Sequence, residues 1–222
     1  AKVVRPPGGA ARLPPKGGRA RWPGKAGSTG ALAWPVPVSP WLPDMTQPVL
    51  NFDPELLLRA QPVRVAFFDV DGVLTDGGLL FSESGETLKR FHTLDGHGIK
   101  LLQKAGITPA VITGRDSAPL RVRLKALGVE HAVFGTEDKR PAAEQVLATL
   151  GLNWSQAAAM GDDWPDLPVM RRSALACAPH NAHIEVRHCA HYTTQARGGE
   201  GAAREFCDLL LVATGAYAGL LA

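Results

Sequence analysis

The sequence has few cysteines and no long apolar run, and each absence excludes a class of protein. Cys177, Cys189 and Cys207 are odd in number and form no Cys-x-x-Cys pair, so they indicate neither a disulfide framework nor a zinc knuckle. The apolar runs are far shorter than the roughly 18–20 residues that cross a bilayer, and no secretory signal pattern opens the sequence. We therefore expect a globular protein of the reducing cytoplasm, without a membrane partner.

Acidic residues are almost absent from the start of the chain. Residues 1–60 contain eight basic and three acidic side chains, with the first acid at Asp44, whereas residues 61–222 contain 16 basic and 18 acidic side chains. Ten of the 18 prolines precede residue 50. A segment of this composition buries too little apolar surface to offset the entropy cost of ordering. We predict a disordered leader over 1–60 and one folded domain over 61–222.

The leader has other interpretations: a nucleic-acid-binding arm, a transit peptide or a partner-binding tail. We favour an extension without catalytic function, because tails of this composition rarely carry chemistry. On this interpretation the protein has no nucleic-acid partner.

From Val63 onward, strands and helices alternate. The apolar run Val63–Asp69 ends in an acid, which is typical of a buried parallel strand with a reactive group at its carboxyl end. A hairpin-like stretch over 79–91 follows, and further helical and strand-like segments alternate up to a closing helix over 202–214. This order predicts an α/β fold: a doubly wound, Rossmann-like parallel sheet with helices on both faces and a ligand crevice at the carboxyl ends of its strands.

Four polar signals follow predicted strands: Asp69-x-Asp71, Thr113-Gly114, Lys139 and Asp162-Asp163. Each alone has an ordinary explanation, since Asp forms turns and caps, and an isolated Lys is usually solvated. In a doubly wound sheet, however, these strand ends meet at one crevice. Together the four signals predict a reaction centre.

Carboxylates gathered at one site require a cation. Two unit charges about 4 Å apart repel by roughly 4 kcal/mol at an effective dielectric constant near 20. Oxygen ligands without His or Cys favour Mg²⁺, shared with a substrate phosphate. We predict that Asp69 and Asp162 bind Mg²⁺ through their side chains and that Asp71 binds it through its backbone carbonyl.

The same residues suit the hydrolysis of a phosphate monoester. Asp69 is suited to attack phosphorus as a nucleophile and to form an aspartyl-phosphate. Asp71 is suited to protonate the leaving alcohol as an acid and later to activate water as a base. Thr113, the backbone of Gly114 and the ammonium of Lys139 suit the phosphoryl oxygens.

Asp163 and Asp166 are predicted to support the site from behind, by orienting Lys139 or a metal-bound water. The alternative role for Asp166 is to cap the short helix that begins at Leu167. The nearby group of four histidines over 180–191 fits no zinc-ligand spacing, and we predict a surface loop there.

The ordered motifs resemble those of the haloacid dehalogenase superfamily of phosphotransferases. Four segments are further similar to its cap-less branch, which contains the 3-deoxy-D-manno-octulosonate 8-phosphate phosphatases: residues 69–77, 95–99, 111–115 and 198–211. The resemblance covers about residues 63–215. It implies Mg²⁺-dependent hydrolysis of a phosphorylated acid sugar to the sugar and phosphate, in lipopolysaccharide precursor synthesis.

Spacing agrees with the absence of a cap domain. Only 41 residues separate Asp71 from Thr113, 25 separate Thr113 from Lys139, and 22 separate Lys139 from Asp162. The resemblance implies that the hairpin over 78–92 builds a homotetramer in which a neighbouring subunit covers the site. It also implies that Arg115 and Arg123 lie near the anionic substrate and that Arg204 reaches its carboxylate; a solvated position at a helix start is an equal alternative for Arg204.

Three alternatives to this function stay open from the sequence. The substrate could be another sugar phosphate, such as a nonulosonate 9-phosphate. A phospho-receiver signalling domain also uses acids, Thr and Lys on a doubly wound sheet. In such a domain the acid pair follows the first strand and the phosphoacceptor ends a middle strand. Here Asp69-x-Asp71 ends the first strand and a second acid pair, Asp162-Asp163, follows Lys139. The third alternative is an interaction module of the same fold without catalytic activity. Such a module does not need to keep a cluster of acids that repel one another.

Overall fold

The architecture, taken from a computed structural model that describes residues 49–221, is built on a six-stranded parallel sheet. Its strands are β1 (Val65–Phe68), β4 (Thr108–Ile112), β5 (His131–Val133), β6 (Ala157–Met160), β7 (Leu175–Ala178) and β8 (Tyr192–Thr193). They lie in the order β5-β4-β1-β6-β7-β8, and every pairing is parallel. An antiparallel hairpin of β2 (Leu80–Ser82) and β3 (Gly85–Leu88) stands apart from this sheet.

Helices cover both faces of the sheet. They are α1 (Pro54–Ala60), α2 (Thr93–Lys104), α3 (Ala118–Leu127), α4 (Lys139–Leu150), α5 (Leu167–Met170), α6 (Ile184–Cys189), α7 (Ala202–Ala213) and α8 (Tyr217–Leu221), with 3-10 turns at Trp154–Gln156 and Trp164–Asp166. One core packs α1, α2, α3 and α7 against one face, and the other packs α4, α5 and α6 against the opposite face. Along β1, Phe68 faces the first core and Phe67 the second.

Strand β1 is central and marks where the winding reverses. The chain passes from β1 to β4 and β5 on one side, then returns to β6, β7 and β8 on the other. All four residues of β1 are buried, as an apolar strand between two helical layers requires. The loops that leave the carboxyl ends of β1, β4 and β6 therefore surround one crevice.

The predicted α/β, doubly wound fold is confirmed, and so is the hairpin after the first motif. The helix predicted over 98–104 begins earlier, at Thr93. Gly98 lies inside the helix and does not interrupt it. Its lack of a side chain permits close packing, since a Cβ there would lie 3.0 Å from the Cβ of Cys207 on α7. The prediction of a loop over 180–191 is wrong, since α6 occupies Ile184–Cys189.

The leader predicted over 1–60 falls mainly outside the described residues. Its last part, however, is helix α1, which begins at Pro54 after the Asp53 cap and buries Leu56 and Ala60 in the first core. The packed part of the chain therefore starts before residue 61.

Between residues 49 and 221 no additional domain interrupts the sheet, and the segment from β1 to β4 is filled by the hairpin and α2. No helix in this range has the length and apolar character needed to cross a membrane.

Candidate active site

Nine of the eleven residues predicted for the site line a single cavity of about 450 Å³ at the carboxyl ends of the central strands. They are Asp69, Asp71, Thr113, Gly114, Arg115, Lys139, Asp162, Asp163 and Asp166. Glu137 and Pro165 complete the lining. The topology thus brings together groups that are up to 97 residues apart in the sequence.

Lys139 occupies the centre of the buried part of the site. As the first residue of α4, it points its ammonium between two carboxylates, with Nζ 2.5 Å from Oδ1 of Asp69 and 2.7 Å from Oδ1 of Asp166. The three side chains are each less than 10% exposed. Burial lowers the pKa of Lys139, but the two carboxylates raise it by more, so its pKa lies above the usual value and the ammonium stays charged.

Asp166 uses both carboxylate oxygens. While Oδ1 accepts from Lys139, Oδ2 accepts from the backbone N–H groups of Asp162 and Asp163 at 3.0 and 3.3 Å. It therefore fixes the ammonium and the loop after β6 at the same time. The placement agrees with the predicted supporting role of Asp166, whereas Asp163 uses its side chain to cap the backbone N–H of Trp164.

Asp162 lies over the loop that follows β1. A Cβ on Gly72 would overlap the Asp162 carboxylate, and Gly72 has a φ of +101°. Only glycine combines this backbone conformation with such a close approach. The Asp-x-Asp-Gly motif thus supplies two acids and the space into which a third, from β6, fits.

Electrostatics show that the acid cluster is unfavourable without a cation. Burial, followed by the neighbouring Asp166 carboxylate, raises the pKa of Asp69 to about 6. Burial, followed by the charges of Asp69 and Asp166, raises the pKa of Asp162 to about 8. Both carboxyl groups therefore gain from any positive charge placed between them.

The chemistry of these groups fits a hard divalent cation. Carboxylate oxygens of Asp69, Asp162 and Asp166 lie within 4.8 Å of one another, the one such group found among residues 49–221. Since both oxygens of Asp166 are already bound, Asp69 and Asp162 are the side chains left to hold a metal. The cavity lining contains six carboxylates but only Arg115 and Lys139 as cations, so a phosphate dianion also needs added positive charge there.

Thr113 and Gly114 form the rim contributed by β4. The backbone N–H of Thr113 donates to Val133 at 3.0 Å, and its carbonyl accepts from Thr136 at 3.1 Å. Its hydroxyl accepts weakly from the backbone N–H of Arg115, at 3.3 Å. The loop is therefore held against β5, with Thr113 buried and Gly114 exposed.

Asp71 and Arg115 meet in the lining of the same cavity. Nε of Arg115 lies 3.8 Å from Oδ2 of Asp71, while the ammonium of Lys89 binds Oδ1 of Asp71. The Asp71 side chain therefore contacts two cations rather than the Asp69, Asp162 and Asp166 group. Its backbone carbonyl stays the predicted metal ligand.

Arg123 and Arg204 do not line this cavity. Arg123 lies against α2, where its guanidinium donates to the carbonyl of His92 at 3.4 Å. Arg204 donates from Nε to Asp208 at 2.7 Å, and its backbone N–H donates to the buried Asp95. The structure therefore does not bring these two residues into the cavity with the other nine, and their contacts with substrate stay a prediction.

Three charged residues near the site were missed from the sequence. Glu137 precedes Lys139 by two residues but follows no motif, and Glu86 and Lys89 belong to the hairpin. No spacing in the sequence indicates that Lys89 reaches Asp71, because the contact depends on how the hairpin folds back.

Two other cavities have comparable size. One of about 590 Å³ lies beside α1 and β8, and one of about 400 Å³ lies at the amino ends of β4 and β5. Neither contains the acid cluster, and the amino edge of a parallel sheet is not where ligands usually bind.

Known proteins with similar sequences decide the family. Residues 132–206 match the model of the haloacid dehalogenase-like hydrolases. Over 159 residues the chain is 42% identical to 3-deoxy-D-manno-octulosonate 8-phosphate phosphatase KdsC of Yersinia pestis, spanning 72% of this chain and 85% of the relative. The chain belongs to this family of haloacid dehalogenase-like hydrolases.

Solved structures of the family agree with the fold described above. The crystal structure of the phosphatase from Yersinia pestis matches with a TM-score of 0.73 and 41% identity, over 75% of this chain and 90% of that one. The phosphatase from Moraxella catarrhalis, in complex with magnesium, phosphate and KDO, matches with a TM-score of 0.73 and 35% identity, over 75% and 96%. Membership of the cap-less branch, predicted from the resemblance of four segments and in agreement with the motif spacing, is confirmed.

Proposed function

We propose that this protein is a Mg²⁺-dependent phosphatase that hydrolyses 3-deoxy-D-manno-octulosonate 8-phosphate to KDO and phosphate. The observation that carries the proposal is the meeting of Asp69, Lys139 and Asp162 at the carboxyl edge of the sheet, in a chain of this family. An acid cluster with one buried ammonium suits a site that gathers charge around a phosphoryl group.

In the first step, a carboxylate oxygen of Asp69 attacks the phosphorus atom of the ester. The bond from phosphorus to the sugar oxygen breaks, and Asp71 gives its proton to that oxygen so that it leaves as a neutral alcohol. Lys139, Thr113 and the backbone of Gly114 hold the phosphoryl oxygens. Because Lys139 also binds Asp69, it keeps the nucleophile in place during the attack.

In the second step, Asp71 accepts a proton from a water molecule. The oxygen of this water attacks the phosphorus of the aspartyl-phosphate, and the bond to Asp69 breaks. Inorganic phosphate leaves, the Asp69 carboxylate is restored, and Asp71 is protonated for the next cycle. Each proton given in the first step is thus recovered in the second.

Mg²⁺, held by the carboxylates of Asp69 and Asp162 and by the backbone carbonyl of Asp71, would offset the negative charge of these groups and of the phosphate ester. Asp166 does not need to touch the metal, since it orients Lys139 and the loop of Asp162. Asp163 supports the same loop through its cap on Trp164.

The choice of substrate rests on the family relationship and on the acid-sugar complex of the Moraxella catarrhalis relative. In this chain Arg115 lines the cavity and is available to an anionic leaving group. Arg123 and Arg204, predicted to contact the substrate, lie outside the cavity of their own chain and could contribute only at a site shared between chains.

A panel of phosphorylated sugars tests this function. Phosphate release is measured with 3-deoxy-D-manno-octulosonate 8-phosphate, a nonulosonate 9-phosphate and neutral hexose phosphates, with Mg²⁺ present. We expect the highest kcat/KM for the eight-carbon acid sugar and no turnover by Asp69→Asn. A higher value for the nonulosonate would reassign the substrate, and full activity of Asp69→Asn would refute the mechanism.

We also propose that the hairpin assembles a homotetramer. Its apolar side chains Leu80, Phe81 and Leu88 are 53%, 66% and 63% exposed, and exposed apolar clusters of this kind usually mark interfaces. A neighbouring chain would then cover a site that has no cap of its own. Light scattering tests this: wild type should have the mass of four chains and Phe81→Asp a lower one, whereas a monomeric wild type would contradict it.

A cytoplasmic location is part of the same proposal. The three cysteines are unpaired in the described structure, which suits a reducing compartment.

A further inference from the structure

Lys89 lies in an unusual position for a hairpin residue. It follows the last residue of β3, Leu88, whose side chain is 63% exposed. The side chain of Lys89 points the other way and is only 1% exposed. Long charged side chains are rarely buried to this degree unless they are paired, so its partners define its role.

Both partners are carboxylates. The ammonium donates to Oδ1 of Asp71, and it lies 2.7 Å from Oε1 of Glu86. Burial lowers the pKa of Lys89, but the bonds to the two carboxylates raise it by more. Glu86 is in β3 itself, so the hairpin supplies both the cation and a second anchor for it.

The second oxygen of Asp71 is left uncommitted. Oδ2 is buried and has no hydrogen-bond partner, and Nε of Arg115 is 3.8 Å from it. That separation is too long for a hydrogen bond. Asp71 lines the cavity, and Oδ2 is the oxygen of this carboxyl group that no donor holds.

We propose that Lys89 is a positioning residue for the acid and base of the reaction. By binding Oδ1, it holds the Asp71 side chain in one rotamer and reserves Oδ2 for the proton that passes to the leaving oxygen and is later taken from water. Without the ammonium, Asp71 could rotate toward other staggered positions and be correctly placed for only part of the time. The inference rests on the proposed function, because it assigns Lys89 a task through Asp71.

This arrangement also gives the hairpin a second purpose. Leu80, Phe81 and Leu88 are exposed, whereas Lys89, which Glu86 also binds, reaches Asp71 in the loop after β1. The hairpin therefore connects the surface proposed for assembly with the group that handles the proton.

A double-mutant cycle tests the proposal. Lys89→Met, Asp71→Asn and the double variant are assayed with the sugar phosphate and Mg²⁺, with Lys100→Met, an exposed lysine on α2, as the matched control. We expect Lys89→Met to lower kcat by about 10- to 100-fold, within the range that acid–base catalysis contributes, with KM nearly unchanged. The double variant should be no slower than Asp71→Asn, and Lys89→Arg should recover part of the loss.

Failure of the positioning role and failure of the proposed mechanism would give different results. If Lys89→Met behaves like Lys100→Met, or if its loss adds fully to that of Asp71→Asn, the positioning role is overturned. If Asp71→Asn itself keeps full activity, the proposed mechanism fails instead. Thermal unfolding of each variant shows whether it is folded, and should Lys89→Met not fold, Lys89→Arg and Glu86→Gln take its place in the cycle.

The leaving group provides a second readout that a purely structural role would not change. p-Nitrophenolate leaves without protonation, so transfer from p-nitrophenyl phosphate to Asp69 needs no proton from Asp71. Lys89→Met should release the first equivalent of p-nitrophenolate at nearly the wild-type rate and then turn over slowly, because the water step still needs Asp71. An initial phase slowed as much as turnover on the sugar phosphate would contradict the proposal.

Discussion

The carboxylate of Asp162 lies against the Cα of Gly72, in space that a β-carbon at residue 72 would occupy. Gly72 belongs to the loop after β1, and Asp162 to the loop after β6, so this contact joins the two halves of the site. The glycine of the first motif is therefore part of the geometry of the proposed metal site as well as of the turn.

Gly72→Ala should displace Asp162 and remove activity while leaving the sheet intact. The added methyl overlaps the Asp162 carboxylate, and a misplacement of about 1 Å at a reacting centre can cost roughly 100-fold in rate. We expect a fall of at least this size in kcat/KM, and weaker Mg²⁺ binding by calorimetry.

Gly151→Ala is the matched control. Gly151 also has a positive φ, +66°, but a β-carbon there meets no atom within 4 Å. It should cost about 1–2 kcal/mol of stability from backbone strain without altering catalysis. Equal activity losses in the two variants would show that strain, not the overlap with Asp162, is responsible.

Asp166→Ala should lower the stability of the protein. It removes one of the two carboxylates on the buried Lys139 ammonium and leaves the backbone N–H groups of Asp162 and Asp163 without their acceptor. We expect a loss of about 3 kcal/mol in the free energy of unfolding, measured by urea denaturation. Asp163→Ala, which removes only the exposed cap on Trp164, should cost about 1 kcal/mol, so similar losses for both would contradict the structural role of Asp166.

The stability of the metal-free protein should fall as the pH rises. The pKa of Asp162 is about 8 in the folded protein and near 3.8 when unfolded, so the folded state binds more protons between these values and loses stability as Asp162 ionises. Asp69, with a pKa of about 6, acts in the same direction over a narrower range. In EDTA, the melting temperature should decline from about pH 4 to about pH 8, and less steeply for Asp162→Asn.

Mg²⁺ should reverse this trend, because the cation binds the ionised carboxylates. The rise in melting temperature on adding Mg²⁺ should therefore grow with pH over the same interval. A rise that does not depend on pH, or that persists in Asp162→Asn, would show that the ion binds elsewhere.

Two deletions of different length should distinguish the leader from helix α1. We expect that deleting residues 1–48 leaves kcat and KM unchanged. Deleting residues 1–60 also removes α1, whose Leu56 and Ala60 are buried, and should cost about 3 kcal/mol of stability. A large kinetic loss in the shorter deletion would assign the leader a catalytic part that its composition did not indicate.

Much of the site could be predicted because parallel strands end at one edge. The buried run that forms β1 and the motif order Asp69, Thr113, Lys139 and Asp162 required only that the strands be correctly recognised. Their convergence then follows from the topology of a doubly wound sheet.

Other features depended on contacts that a single sequence does not display. Lys89 is buried only because the hairpin folds back onto the loop of Asp71. Helix α6 begins at a His183 cap, which is not one of the residues that normally signal a helix start. Helix α1 did carry the signal Asp53-Pro54, but the composition of the segment before it led to the wrong expectation.

The central claim is that Asp69 attacks phosphorus and that water attacks the resulting aspartyl-phosphate. The stereochemical course at phosphorus tests this most directly, with a substrate analogue made chiral by sulfur and heavy oxygen isotopes. Two successive in-line displacements predict net retention of configuration. Net inversion would mean that water attacks the substrate in one step, which would contradict the account.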